Sequence, residues 1–154
     1  ARPPGGPPRY RLGGGAPPPP HPTQVGPPTL QLWVRFPGTD GSDPAFARAL
    51  LAHATDGWLI ATAMRPHAGL GQAMAHREVS TGVLAHDVTF HRDVDTARWL
   101  LIDHESQAAG AGRAYGRGHV FTENGDLVAS FVQEALLRAM PGGRRPPTDR
   151  ATAM

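Results

Sequence analysis

The stretch from Ser42 to Pro66 constrains the chain more than any other, because it reads as one helix without a polar face. Ser42 or Asp43 can accept hydrogen bonds from the free amides of a first turn, and Pro44 suits the first helical position, where its missing N–H would be unpaired anyway. Pro66 ends the pattern. Between these limits Phe46, Leu50, Leu51, Ala54, Trp58, Leu59, Ile60, Ala61 and Met64 fall on every face, which predicts a helix buried on all sides. Arg48, His53 and Asp56 along its length, with Gly57 beside the acid, argue against a membrane span.

Asp56 is the anomaly in that helix. Desolvating a lone carboxylate is expensive, so it must be paired, hydrated in a pocket or protonated. Two readings stand side by side: an acid with a chemical task, or an acid paired with an arginine or with His53 one turn earlier on the same face.

What can enclose such a helix depends on how much chain is left to fold. Of the 154 residues, the first 28 are dominated by proline and glycine, including Pro17 to Pro20 and Gly13 to Gly15. They predict a disordered linker of polyproline II character, since they carry too little apolar surface to offset the entropy of ordering. Residues 141–154 read as a second, flexible tail. One domain over residues 29–140 remains. The chain begins with Ala1 instead of methionine, as a processed or partial sequence would, and no apolar segment follows a basic start, so a cytoplasmic location is expected.

Composition removes several chemistries. There is no cysteine, hence no disulfide, thiolate metal site or thiol nucleophile. All 15 basic residues are arginines, yet the net charge is only +2 and several arginines lie in the tails. No basic stripe marks a nucleic-acid partner.

The rest of the domain reads as strands. Leu30, Leu32, Val34 and Phe36 alternate with Gln31, Trp33 and Arg35 over residues 29–36. A Gly- and Ala-rich loop covers residues 66–75. A long strand over 78–92 puts Thr81, Val83, Ala85, Asp87, Thr89 and His91 on one face, and residues 98–106, 113–122 and 126–138 give three more. Asn124-Gly125 predicts a tight hairpin turn, and Gly110 and Gly112 a looser one. One strand, one long helix and four strands fit an α+β hotdog fold: a curved five-stranded, mostly antiparallel sheet wrapped around a central helix.

A series of short motifs then narrows the reading. His53-Ala-Thr-Asp56, Arg65-Pro-His67, His86-Asp-Val-Thr-Phe-His-Arg92, Trp99-Leu-Leu, Glu105-Ser, Gly112-Arg-Ala-Tyr-Gly-Arg-Gly118 and Phe121-Thr-Glu-Asn-Gly-Asp-Leu-Val-Ala-Ser-Phe-Val-Gln-Glu134 resemble, in order and spacing, the C-terminal hotdog of the acyl-CoA thioesterase II (TesB-like) family. The resemblance covers residues 30–140. It implies hydrolysis of fatty acyl-CoA by an activated water, without a cofactor. Family members carry two fused hotdogs, so the resemblance also implies pairing with a second copy or with another hotdog.

In that family an acid on the central helix, a Thr or Ser on the long second strand and a Gln on the last strand hold the water. Asp56 falls at the acid position and Gln133 at the glutamine position. A carboxylate can take the water's proton, and a neutral amide can orient water without competing for that proton. The third position departs from the family: Val83 stands where the hydroxyl belongs, with Thr81 two residues away. One lost hydrogen bond to a buried partner costs about 1–3 kcal/mol, which weakens activity without necessarily abolishing it.

Other constellations are weaker. The eight histidines form no metal set: His86 and His91 point to opposite faces of their strand, and His53 with Asp56 lacks a third ligand. No Gly-x-Ser-x-Gly elbow occurs. Trp58 and Trp99 read as core, and Arg113 and Arg117 as a solvated strand face that can also meet coenzyme A phosphates. A non-catalytic hotdog partner that binds acyl-CoA is the main alternative function, and a hotdog enoyl-CoA hydratase a weaker one.

Overall fold

The apolar alternation of the sequence is realised as strands stacked in one sheet. A computed structural model of the chain describes residues 7–13, 25–39, 43–71 and 78–140. The elements in order are β1 (Arg9–Leu12), β2 (Thr29–Arg35), α1 (Pro44–Asp56), α2 (Leu59–Met64), β3 (Val79–Phe90), β4 (Leu100–Gly110), β5 (Arg113–Thr122) and β6 (Leu127–Ala139). The sheet order is β1-β2-β4-β5-β6-β3, and every neighbouring pair is antiparallel. Six strands form it where five were expected. The sixth, β1, comes from inside the proline-rich front: Arg9-Tyr-Arg-Leu12 lies between proline clusters and pairs with β2. The expected tail at 141–154 and most of the expected linker lie outside the described residues.

The expected single helix is two. Asp43 caps α1, its carboxylate accepting from the amides of Ala45 (2.9 Å) and Phe46 (3.1 Å), with Pro44 at the first position. The helix then stops at Asp56, because Gly57, a poor helix former, and Trp58 interrupt the ladder before α2 begins. Nor is α1 buried all round. Ala47, Leu51, Ala54 and Thr55 form its buried stripe, while Phe46 is 45% exposed and Arg48 and His53 face outward. Among the described residues no helix is long and apolar enough to cross a membrane.

Two apolar clusters fill the space between helices and sheet. Leu51 and Ala54 of α1 pack with Ile102, Val120, Val128 and Phe131; Ala63 and Met64 of α2 pack with Val79, Ala114, Ala135 and Leu137. The break at Gly57–Trp58 therefore lies over the seam between them. On β6 that seam falls between Phe131 and Ala135, at Gln133.

The outer rows differ from expectation in three places. A bulge between Val83 and Ala85 interrupts the alternation of β3, so the expected face from Thr81 to His91 is not one face. Ala111 and Gly112, both at positive φ (49° and 82°), make a two-residue turn between Gly110 and Arg113, tighter than expected and of the kind that suits hairpin twist. Trp58 and Trp99 are only partly buried: Trp58 meets the edge of Tyr10, with ring centroids 5.9 Å apart, and Trp99 stacks under the guanidinium groups of Arg11 (3.9 Å) and Arg35 (4.7 Å). β3 closes one side of the sheet, with β6 as its only strand partner among the described residues, and Val83 (38%) and Leu84 (50%) are exposed there.

Gly118 on β5 lets Phe131 lie against the sheet. A Cβ there would run into the Phe131 ring and sit 2.7 Å from the Asp103 carbonyl, whereas one at Gly82 would meet nothing within 4 Å. Gly118→Ala should therefore lower stability by about 1–3 kcal/mol through overpacking. Gly82→Ala should leave it unchanged or raised. Thermal unfolding of the two variants checks both.

Candidate active site

Where α1 ends, its last carbonyls have no partner within the helix. The carbonyl of Asp56 finds one in Gln133, whose Nε2 donates to Asp56 O at 2.9 Å and to Asp56 Oδ1 at 3.0 Å. Both amide hydrogens are thereby used on one residue. The opposite orientation would set the amide oxygen against two acceptors, so the contacts themselves fix which atom is nitrogen. Gln133 is 1% exposed and its Oε1, though buried, has no hydrogen-bond partner among the described residues.

Of the three residues singled out from the sequence, two come together. Asp56 is partly buried at the end of α1, not midway along a helix, and its partner is Gln133 instead of an arginine or His53. Gln133 faces inward between apolar neighbours, as the apolar residues on its face predict. Val83 is not bonded to them: it pairs at the bulge with Ala135, two residues from Gln133 on β6, is 38% exposed and offers no polar atom.

Two residues that the sequence left without a role join the pair. Thr55, fully buried, precedes Asp56, and its Oγ1 lies 3.0 Å from His86 Nε2. The bulge in β3 brings His86 to the inner face, where it stands opposite Gln133 in the β3–β6 register. Thr55 was visible beside the acid in His53-Ala-Thr-Asp56, but no residue type marks a bulge in advance. Among the described residues no group of three or more His, Asp or Glu side chains is placed to hold a metal.

The outside of the sheet is ordinary by comparison. Arg113 pairs with Glu134 (2.7 Å) and Arg117 with Glu105 (3.1 Å), all well exposed. They make the solvated face expected for these arginines, and such pairs add little stability.

Residues 6–137 match the family described as the acyl-CoA thioesterase C-terminal domain. The chain belongs to that family. It is 31% identical over 106 residues to acyl-CoA thioesterase 2 of Haemophilus influenzae, covering 69% of this chain and 36% of that protein. Human acyl-coenzyme A thioesterase 8 is 30% identical over 115 residues, 74% of this chain and 34% of its own length. Among solved structures, the acyl-CoA thioesterase II TesB2 from Mycobacterium marinum aligns with a TM-score of 0.69 and 29% identity, over 88% of this chain and 50% of that one. A hotdog-fold protein from Alicyclobacillus acidocaldarius aligns at 0.58 and 21%, over 87% of this chain and 46% of its own, which bears on the fold alone. The domain is thus an α+β hotdog of the TesB-like, C-terminal kind. It spans about half or less of each of these four proteins.

Behind the site, Phe131 lies between two imidazoles, His86 (centroids 5.7 Å) and His104 (5.4 Å). His104 is fully buried, and burial lowers its pKa from 6.5 to about 4, against the opposing effect of backbone hydrogen bonds to Leu30 and Ile102. Below pH 6.5 the unfolded chain takes up a proton that the folded chain refuses until about 4. The stabilising contribution is whole above the upper value and is lost as pH falls toward the lower one, at no more than about 1.4 kcal/mol per pH unit. Urea unfolding across that window should show this slope, and His104→Gln should flatten it.

Proposed function

We propose that this domain hydrolyses fatty acyl-CoA thioesters to the free acid and coenzyme A, with Asp56 as general base and Gln133 orienting the attacking water. The observation that carries the reading is the 3.0 Å bond from Gln133 Nε2 to Asp56 Oδ1, with Gln133 Oε1 buried and still able to accept. A water beside this pair gives one proton to the carboxylate and directs the other at Oε1, which turns an oxygen lone pair toward the thioester carbonyl. Attack forms the C–O bond, the tetrahedral intermediate expels the coenzyme A sulfur, and Asp56 returns the proton to it. No cofactor enters this chemistry. Relatives named acyl-CoA thioesterase support the substrate class.

The functional unit in this reading has a second hotdog beside the first. Its support is the β3 edge, a strand of 12 residues with one partner and with Val83 and Leu84 exposed, which offers unpaired backbone groups to a second copy or to another hotdog domain. The same reading takes the location as cytoplasmic, with neither nucleic acid nor membrane as a partner. A competing reading is a hotdog partner that binds acyl-CoA without turnover. Val83 favours it, because the strand position that carries a hydroxyl in the family is apolar and partly exposed here.

Release of coenzyme A from acyl-CoA by the purified chain should be abolished by Asp56→Asn. It should fall about tenfold to hundredfold in Gln133→Met, which loses both bonds to Asp56. Val83→Thr should raise it. Binding of acyl-CoA by a folded, self-associated chain without release of product would select the non-catalytic reading.

A further inference from the structure

The inward row of β3 changes composition at the bulge. Val83 pairs with Ala135 and Ala85 with Glu134, so two steps on β3 match one on β6. Beyond this point His86, Val88 and Phe90 lie opposite Gln133, Phe131 and Ala129. Strict alternation from Val79 through Thr81 and Val83 would have turned His86 outward. The extra residue puts an imidazole across from the glutamine.

That imidazole is held and oriented. Thr55 has one hydroxyl hydrogen, and the carbonyls of Ala52 (3.0 Å) and Leu51 (3.2 Å) are both placed to take it. Oγ1 then accepts from His86 Nε2–H at 3.0 Å, which leaves Nδ1 of the neutral ring as a bare acceptor. His86 Nδ1 is buried with no hydrogen-bond partner among the described residues, as is Gln133 Oε1. Two such acceptors therefore sit on neighbouring side chains that project from the same face of paired strands, one side chain bonded to Asp56 and the other to its neighbour Thr55. Buried polar atoms seldom go unpaired, and two together call for a donor between them.

We infer that His86 is a further catalytic residue of this site, its Nδ1 accepting a hydrogen bond from the attacking water in the place that a strand hydroxyl at position 83 would serve. This rests on the hydrolytic reading. One water proton goes to Asp56, and the other lies between Gln133 Oε1 and His86 Nδ1 in a three-centre bond. His86 holds the water without taking its proton: the O–H bond breaks toward Asp56, the C–O bond forms, the C–S bond breaks, and the proton ends on sulfur.

Three substitutions and a rescue test it on the full chain with acyl-CoA as substrate. His86→Phe keeps a ring against Phe131 and removes both nitrogens. It should lower kcat about tenfold to hundredfold, the effect of one lost hydrogen bond to a buried partner, with KM little changed. His86→Asn keeps a polar atom where Nδ1 stands and should recover part of kcat. His86→Gln keeps one near Nε2 and should not. Val83→Thr should raise kcat more in the His86→Phe background than in the wild type. Thermal unfolding of each variant separates these effects from loss of structure. Wild-type kcat in His86→Phe, beside an inactive Asp56→Asn, would overturn the role of His86 and leave the hydrolytic reading standing. Recovery by Gln instead of Asn would overturn it too, reducing His86 to a support for Thr55. No turnover by the wild type, or equal turnover by Asp56→Asn, would overturn the hydrolytic reading and this inference with it.

Discussion

One amide joins the end of the first helix to the last strand. A helix that ends above an apolar sheet leaves carbonyls with nothing to accept from, and a carboxylate at that end adds a charge repelled by the negative end of the helix dipole. Gln133 answers both with a single group, donating to the backbone and to the side chain of Asp56. The arrangement works because β6 presents the amide in the seam between the cluster under α1 and the cluster under α2. A polar group is admissible there because its hydrogens are fully used; elsewhere in either cluster it would be an unpaired intrusion.

The same seam explains why the helix is split. A continuous helix over both clusters would bury the Asp56 carbonyl in its own hydrogen-bond ladder and leave Gln133 with the carboxylate alone. Gly57 and Trp58 end the ladder after Asp56, and α2 restarts close to the sheet, where Gly116 leaves room for Leu59: a Cβ at that glycine would sit 2.6 Å from Leu59 Cδ1. The geometry of the pair thus depends on a poor helix former in the helix and on a missing side chain in the sheet.

Much of this was legible in the sequence, and the exceptions have physical causes. The strands from β2 to β6, a cap at Ser42 or Asp43 ahead of Pro44, and the inward Gln133 follow from alternation, from capping chemistry and from the apolar neighbours of the glutamine. The split of the helix escaped because apolar residues resume at Trp58 directly after Asp56-Gly57 and run on to Met64, and a lone glycine is tolerated in helices often enough to be read through. The exposed side of α1 escaped because alanine, abundant here, carries almost no information about burial. β1 escaped because four residues among prolines have no period to read. His86 escaped for a different reason. A bulge is set by how two strands meet, and a β3 sequence in isolation says nothing of its partner.

The order of the sheet also decides when the site comes into being. β4, β5 and β6 form a meander of hairpins that can pair through short loops. The pair at the helix end joins residues 77 apart in the chain, and the Thr55–His86 bond joins residues 31 apart. Closing such long loops costs entropy that the hairpins do not face, so contacts of this kind are the late ones in folding and the early ones to open. The β4–β5–β6 meander can therefore pair before Asp56 meets Gln133, and a brief parting of β3 from β6 would carry His86 away from Thr55 while leaving the Gln133–Asp56 contact, which joins β6 to α1, in place.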